Sequence, residues 1–335
     1  MPSQSMYSPL KRLYSPRQSA SDHAVFGVLL CVLFLAAGCT SDAPSPESST
    51  DTTRVVTDDL AREVEYPVPT HRIIPLAPNL TEMLFAAGAG DRVVAVGPSD
   101  DVPAAVDSLP HVSVLPIDFE AIVSFEPDLI LATTQVNATR DADTFQSLGT
   151  PVYFFSFPTV QSVFDGIRRI GMLAGTQDIA TDSAEALSRQ FDDIRTRSAR
   201  HIEDRSDRPR VLVLAGSDVL YSFGKESYVH TLVEAAGGSS ITSDLDASAP
   251  TLSEEYVLSA RPDVIVGAFG DGDLPEALLK HHPSFDILPA VQDGRVYTLP
   301  GGLLFRPGPR LVDGARHLSD LLHPRTPGAA VSNGR

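Results

Sequence analysis

Two glutamates, Glu120 and Glu255, stand in one repeated pattern: Glu120-AIVSFE-Pro127-Asp128-Leu-Ile and Glu255-YVLSAR-Pro262-Asp263-Val-Ile, with six residues between Glu and Pro in each. In both copies an acidic residue opens a short helix, a Pro-Asp turn stops it, and a β-branched run (LILA, VIVGA) reads as a buried parallel strand. This internal duplication predicts two like lobes, each presenting one carboxylate at the same point of its surface, as docking on a two-fold partner requires. Either glutamate alone is explained by a first-turn carboxylate offsetting a helix dipole. The matched spacing argues for the pair, and Glu254 takes the place of Glu255 if the register shifts by one.

The elements that must carry these carboxylates follow along the chain. Arg54-VVTDDLAREVEY-Pro67 alternates around Asp58-Asp59 and predicts an opening hairpin. Arg72-IIPLA-Pro78 predicts a strand, followed by an apolar-periodic helix that Asn79 or Thr81 caps, with Glu82 in its first turn and Gly88 and Gly90 closing it. Arg92-VVAVG reads as a second strand. Asp128-LILATT, a helix near residues 140–148 and Pro151-VYFFSF complete a doubly wound lobe over 54–177. Asp178 to about Glu203 is the longest helical pattern, with Ala184, Leu187, Phe191, Ile194 and Ile202 largely on one face. At ~1.5 Å per residue it runs about 40 Å, long enough to cross between lobes, so 178–205 is expected to be a stiff connector that restricts hinge motion. Arg210-VLVLAG, Val264-IVGAF, Arg295-VYTL and a closing helix over 309–323 form the second lobe, 206–324. The fold class expected is α/β: two doubly wound, Rossmann-like lobes joined by one long backbone helix, with a ligand cleft between them at strand C-terminal ends.

Composition narrows the function. Asp+Glu 43 against Lys+Arg 26 gives a formal net charge of -17, the wrong sign for nucleic acid. Lys11, Arg12 and Arg17 precede the apolar run Ala24–Ala37, too short to span a bilayer comfortably and suited to a secretory signal. It ends in Leu35-Ala-Ala-Gly38-Cys39. The chain has 2 cysteines, Cys31 and Cys39, so everything after residue 39 lacks thiols for a disulfide, a thiolate metal site or a nucleophile. Residues 40–53 (TSDAPSPESSTDTT) read as a disordered acidic tether and 325–335 as a disordered tail. No G-x-S-x-G, Walker or H-E-x-x-H motif occurs, and the histidines lack metal-ligand spacing, so neither enzyme chemistry nor a metal or other cofactor is expected.

Several segments carry a family likeness. Arg72-IIPLAPNLTEMLFAAGAGDRVVAVG, Phe119-EAIVSFEPDLILA, Ser222-FGKESYVHTLVEAAGG, Ser253-EEYVLSARPDVIV and Arg306-PGPRLVDGARHLSDLLHP together resemble the helical-backbone (class III) periplasmic binding proteins. These serve ABC importers of cobalamin, ferric siderophores and haem, and the likeness is strongest to the cobalamin branch. The Leu-Ala-Ala-Gly-Cys sequence resembles a lipobox, which implies cleavage before Cys39 (signal 1–39), acylation of Cys39 and anchoring to the cell envelope by lipid. The resemblance implies that Glu120 and Glu255 meet arginines of a permease dimer coupled to ATPase subunits, the binding protein acting as a monomer. The expected cleft wall comprises Asn79, Leu80, Leu115, Pro116, Thr134 and Gln135 from the first lobe and Tyr221, Phe269, Leu303, Phe305 and Arg306 from the second. Arg306 matches a polar ligand contact, and its structural role would be a helix cap or an acid pair. Tryptophan, common in cobalamin clefts, is absent from the chain. A ferric siderophore is therefore the close alternative; haem ranks third because Val114 and Leu115 stand where its binders place a tyrosine. A surface scaffold or sensor lipoprotein is the reading of another class.

Overall fold

The computed structural model describes residues 52–202, 204, 208–268 and 274–324. The signal, Cys39, most of the tether, Phe269 and the 325–335 tail lie outside the described residues. Where the tether was expected to reach residue 53, strand β1 (Thr52–Thr57) has already begun; it pairs antiparallel with β2 (Glu63–Val68). The turn between them is closed by Asp58, whose Oδ1 accepts from the Leu60 and Arg62 amides, both at 3.0 Å. Next come β3 (Ile73–Pro75) and α1 (Pro78–Ala86). Pro78 occupies the first position of α1 and Ala77 is its N-cap, with no side-chain cap. Asn79, Thr81 and Glu82, expected to cap or flank this helix start, are buried inside it instead. The missing proline N–H and its preset φ begin the helix without them.

The second strand expected at 92–97 is reduced to isolated bridges, Ile73 to Val93 and Val96 to His111, after a 3-10 turn over Gly90–Arg92. The short helix α2 (Phe119–Val123) leads into β4 (Leu129–Thr133), then α3 (Asp141–Ser147) and β5 (Val152–Phe155). Parallel strands in the order β3-β4-β5 make the first sheet. Two helices follow: α4 (Val160–Ala174), which was not anticipated within the first lobe, and α5 (Gln177–Ala199), the long connector expected over 178–205. Thr159 and Ser162 form a reciprocal capping box at the start of α4, and Gly175 (φ 70°) ends it. With 23 residues α5 is about 35 Å long.

The second lobe runs β6 (Arg210–Leu214), α6 (Tyr228–Ala235), β7 (Ser239–Ser240), α7 (Glu254–Ala260), β8 (Val264–Gly267), α8 (Leu274–His281), α9 (Pro289–Gln292), β9 (Val296–Thr298), α10 (Gly301–Leu304) and α11 (Leu311–Leu322). Its sheet is parallel in the order β7-β6-β8-β9.

Alternation along the central strands builds three cores from two sheets. Leu129 and Leu131 of β4, with Val211, Val213, Val264 and Val266 of β6 and β8, face one continuous core shared by α4, α5, α6 and α11. Their neighbours turn outward: Ile130 and Ala132 to a core private to the first lobe, Leu212, Leu214 and Ile265 to one private to the second. The lobes are thus joined through packed side chains as well as through α5, which rests on α4, α6 and α11.

Candidate functional site

The repeated motif has one geometry in both lobes. Glu120 is the second residue of α2, whose N-cap Asp118 accepts from the Ala121 amide at 3.0 Å. Glu255 is the second residue of α7, whose N-cap Ser253 accepts from the Tyr256 amide at 3.2 Å. Each motif then takes a left-handed residue before its proline, Glu126 and Arg261, both with φ 46°. Each ends in an aspartate that reads the start of the neighbouring strand: Asp128 Oδ2 accepts from the Arg72 amide at 2.9 Å, and Asp263 Oδ2 from the Arg210 amide at 2.7 Å. Both glutamates are exposed.

Glu254 differs from its neighbour. Ser284 Oγ donates to it at 2.5 Å and His282 Nδ1 lies 2.8 Å from its other oxygen; these bonds hold its carboxyl below the usual carboxylate range. Glu254 therefore ties α7 to the segment after α8, while Glu255 projects freely. Glu255 is thus the exposed equivalent of Glu120.

The lobes face each other across strand C-terminal ends. After β9 and α10, the Arg306-Pro-Gly-Pro-Arg310 turn reaches the first lobe at α1. Arg310 grips Glu82 with two bonds, Nε to Oε2 at 3.0 Å and Nη2 to Oε1 at 2.6 Å. Asn79 Nδ2 donates to the Pro307 carbonyl at 3.2 Å. Gly308 lies against this contact: a Cβ there would sit 3.4 Å from Glu82 Oε2 and 3.6 Å from Asn79 Cβ, at ordinary van der Waals distance. Arg306 is held by Asp101 Oδ1 at 2.5 Å and the Ser99 carbonyl at 3.2 Å, with Glu82 Oε1 at 3.8 Å. Burial pushes the Glu82 carboxyl up, and the Arg310 and Arg306 guanidiniums oppose it; the bonds to Glu82 push Arg310 up in turn.

Asp100 is buried beside this cluster with both carboxylate oxygens lacking a hydrogen bond, as does the Thr81 hydroxyl. Burial pushes the Asp100 carboxyl up against the opposing pull of Thr81, Gly97 and Arg306.

The expected wall residues separate into two groups. Leu80 is wholly buried in the shared core and Asn79 is committed to Pro307, so neither offers its side chain to solvent. Leu115, 71% exposed, is the most exposed large apolar side chain among the described residues, with Pro116 exposed beside it. Thr134 and Gln135 are exposed past the end of β4. In the second lobe Tyr221 is 51% exposed, and half-buried Leu303 and Phe305 follow, Phe305 stacking on Phe223 at 4.9 Å. An open groove of about 470 Å³ lies between the 244–253 loop and Tyr256 in the second lobe, and its lining residue Thr251 bridges to Tyr221. Glu82, Asp100 and Asp101 were not among the expected site residues. A glutamate inside the apolar run LTEMLF, matched by an arginine in an otherwise apolar turn, was the available signal for the first.

The periplasmic binding protein family matches this chain over residues 73–303. The chain belongs to that family. An uncharacterised ABC transporter substrate-binding lipoprotein of Bacillus subtilis strain 168 is 26% identical over 310 residues, 90% of this chain and 97% of that protein. The crystal structure of the periplasmic vitamin B12 binding protein of Vibrio cholerae superimposes with a TM-score of 0.65 at 27% identity, covering 76% of this chain and 97% of that one. The periplasmic haem-binding protein of Roseiflexus sp. RS-1, in its apo form, gives 0.67 at 26% identity, covering 76% and 98%. The fold is that of the two-lobed class III periplasmic binding proteins. Members of the family bind substrates for transport outside the cytoplasm. Among the described residues no helix is long and apolar enough to cross a membrane, and no group of three His, Cys, Asp or Glu side chains is placed to hold a metal ion.

Proposed function

We propose that this periplasmic binding protein is the substrate-binding lipoprotein of an ABC importer, held to the membrane through lipid on Cys39. It captures cobalamin or a related corrinoid between its lobes and delivers it to a permease dimer with its ATPase subunits. The observation that carries the transport reading is the equivalence of Glu120 and Glu255: same helix position, same capping, same left-handed stop, both exposed, one per lobe. Each carboxylate offers a charge-assisted bond of about 1–3 kcal/mol to a permease guanidinium, and two such bonds fix orientation. A scaffold has no use for the matched pair.

For the ligand, Leu115, Tyr221, Leu303 and Phe305 give a bulky apolar rim with Arg306 as a polar point, the make-up of a site for a large, partly apolar molecule. The name of the Vibrio cholerae relative favours a corrinoid. A ferric siderophore is the second reading, supported by the two guanidiniums at the cleft, and haem, bound by the Roseiflexus neighbour, is the third. Reversing both charges, Glu120→Arg with Glu255→Arg, tests the transport reading. Uptake collapses while ligand binding is unchanged; undiminished uptake would rule out docking through this pair.

A further inference from the structure

The two arginines of the Arg306-Pro-Gly-Pro-Arg310 turn are held in different ways. Arg310 makes two bonds to Glu82, whose side chain is only 4% exposed, and such a geometry does not yield readily to solvent or solute. Arg306 meets Asp101 at the surface, the two side chains 26% and 63% exposed. An exposed pair of this kind is worth about 0–1 kcal/mol, and a competing anion can exchange into it.

Charge balance makes the exchange selective. Two guanidiniums face Glu82, Asp101 and Asp100. Burial disfavours the charged form of Asp100, and the other four charges, Arg306, Arg310, Glu82 and Asp101, cancel. Replacing the Asp101 carboxylate by another anion keeps that balance, whereas a cation placed there would face Arg306 and Arg310. We propose that Asp101 is an internal stand-in for the ligand: it occupies the outer face of Arg306 and gives way to a carboxylate or phosphate group of the incoming molecule. Asp101 is then a specificity-determining residue, setting how strongly an anionic group must bind to enter. That role rests on the cleft being the ligand site, as proposed above.

The test uses inorganic phosphate as probe, so it does not depend on the ligand's identity. The chain from Thr40 onward, whose described residues carry all three cores, is labelled with 15N-arginine, and the side-chain signals of Arg306 and Arg310 are followed during phosphate titration. Asp101→Asn should shift the Arg306 response to about five-fold lower phosphate, the upper end of what an exposed ion pair withholds, while Arg310 stays silent. Equal responses in wild type and variant, or a response at Arg310 alone, would overturn the proposal. A second measurement uses cyanocobalamin, which carries a phosphodiester. Where the wild type binds it, Asp101→Asn binds it several-fold more tightly, and unchanged or weaker binding would count against the exchange. If cyanocobalamin and the other probes of the proposed function all fail to bind, that reading falls while the phosphate titration still decides the role of Asp101.

Discussion

Glu82 and Asp100 are neighbours in space with opposite histories of compensation. Glu82 is buried but doubly bonded by Arg310, so deleting its carboxylate leaves a guanidinium stranded at the lobe boundary. Glu82→Ala is expected to cost about 3–5 kcal/mol in chemical denaturation, the usual penalty for breaking a buried pair from one side, and a loss under 1 kcal/mol would show that water serves Arg310 as well as Glu82 does. Asp100 has no such partner. Its folded pKa is raised from 3.8, so its contribution to stability is full below 3.8 and is lost as pH rises through the folded value. Asp100→Asn should therefore stabilise the protein at neutral pH by about 1 kcal/mol and flatten the decline above pH 3.8, measured by denaturant midpoints across pH. A variant less stable at every pH would mean that the ionised carboxylate is satisfied. Neither acid was legible as a site residue, because sequence places them in a helix start and a loop, and only the folded turn at 306–310 brings arginines to them.

Elements repeat more faithfully than their sequences do. Between Glu and Pro the two motifs share in register only a serine, Ser124 and Ser259, yet both helices are capped through the third amide, both stop at φ 46° and both feed a central strand. What the duplication preserves is the exit angle of the chain and the height of one carboxylate. Removing a cap, by Asp118→Ala or Ser253→Ala, is expected to cost about 1 kcal/mol and to blur the position of the following glutamate. Glu254 adds a second brace in the second lobe. Its folded pKa is lowered, so its support is present above 4.5 and is lost as pH falls through the folded value. Glu254→Gln should make the exchange protection of the α7 amides less sensitive to acid than in the wild type; an identical acid response would remove Glu254 from that role. Strand positions were legible because buried parallel strands are unbroken apolar runs. The segment at 92–97 shares that composition but finds only single bridges as partners, a tertiary outcome that local pattern does not encode.

At the scale of the molecule, the shared core limits how the lobes can move. The long connecting helix expected at 178–205 is α5, and it is wedged with α4, α6 and α11 between the sheets. Opening the cleft widely would expose that core, so small rotations are favoured over large closure. The lobes, their order and their paired carboxylates could be read from sequence because each rests on local periodicity and on one repeat. The tie between lobes could not, because it depends on residues 228 positions apart, Glu82 with Arg310. The central claim is that the cleft captures a corrinoid for delivery, and the most direct measurement is calorimetric titration of the chain from Thr40 onward with cobalamin, cobinamide, ferric hydroxamate and catecholate siderophores, and haem. Saturable one-to-one binding of a corrinoid in a cleft without tryptophan is the expected result. Siderophore or haem binding with corrinoid silence would contradict the ligand assignment and keep the transport role, and silence towards all of them would contradict the account as a whole.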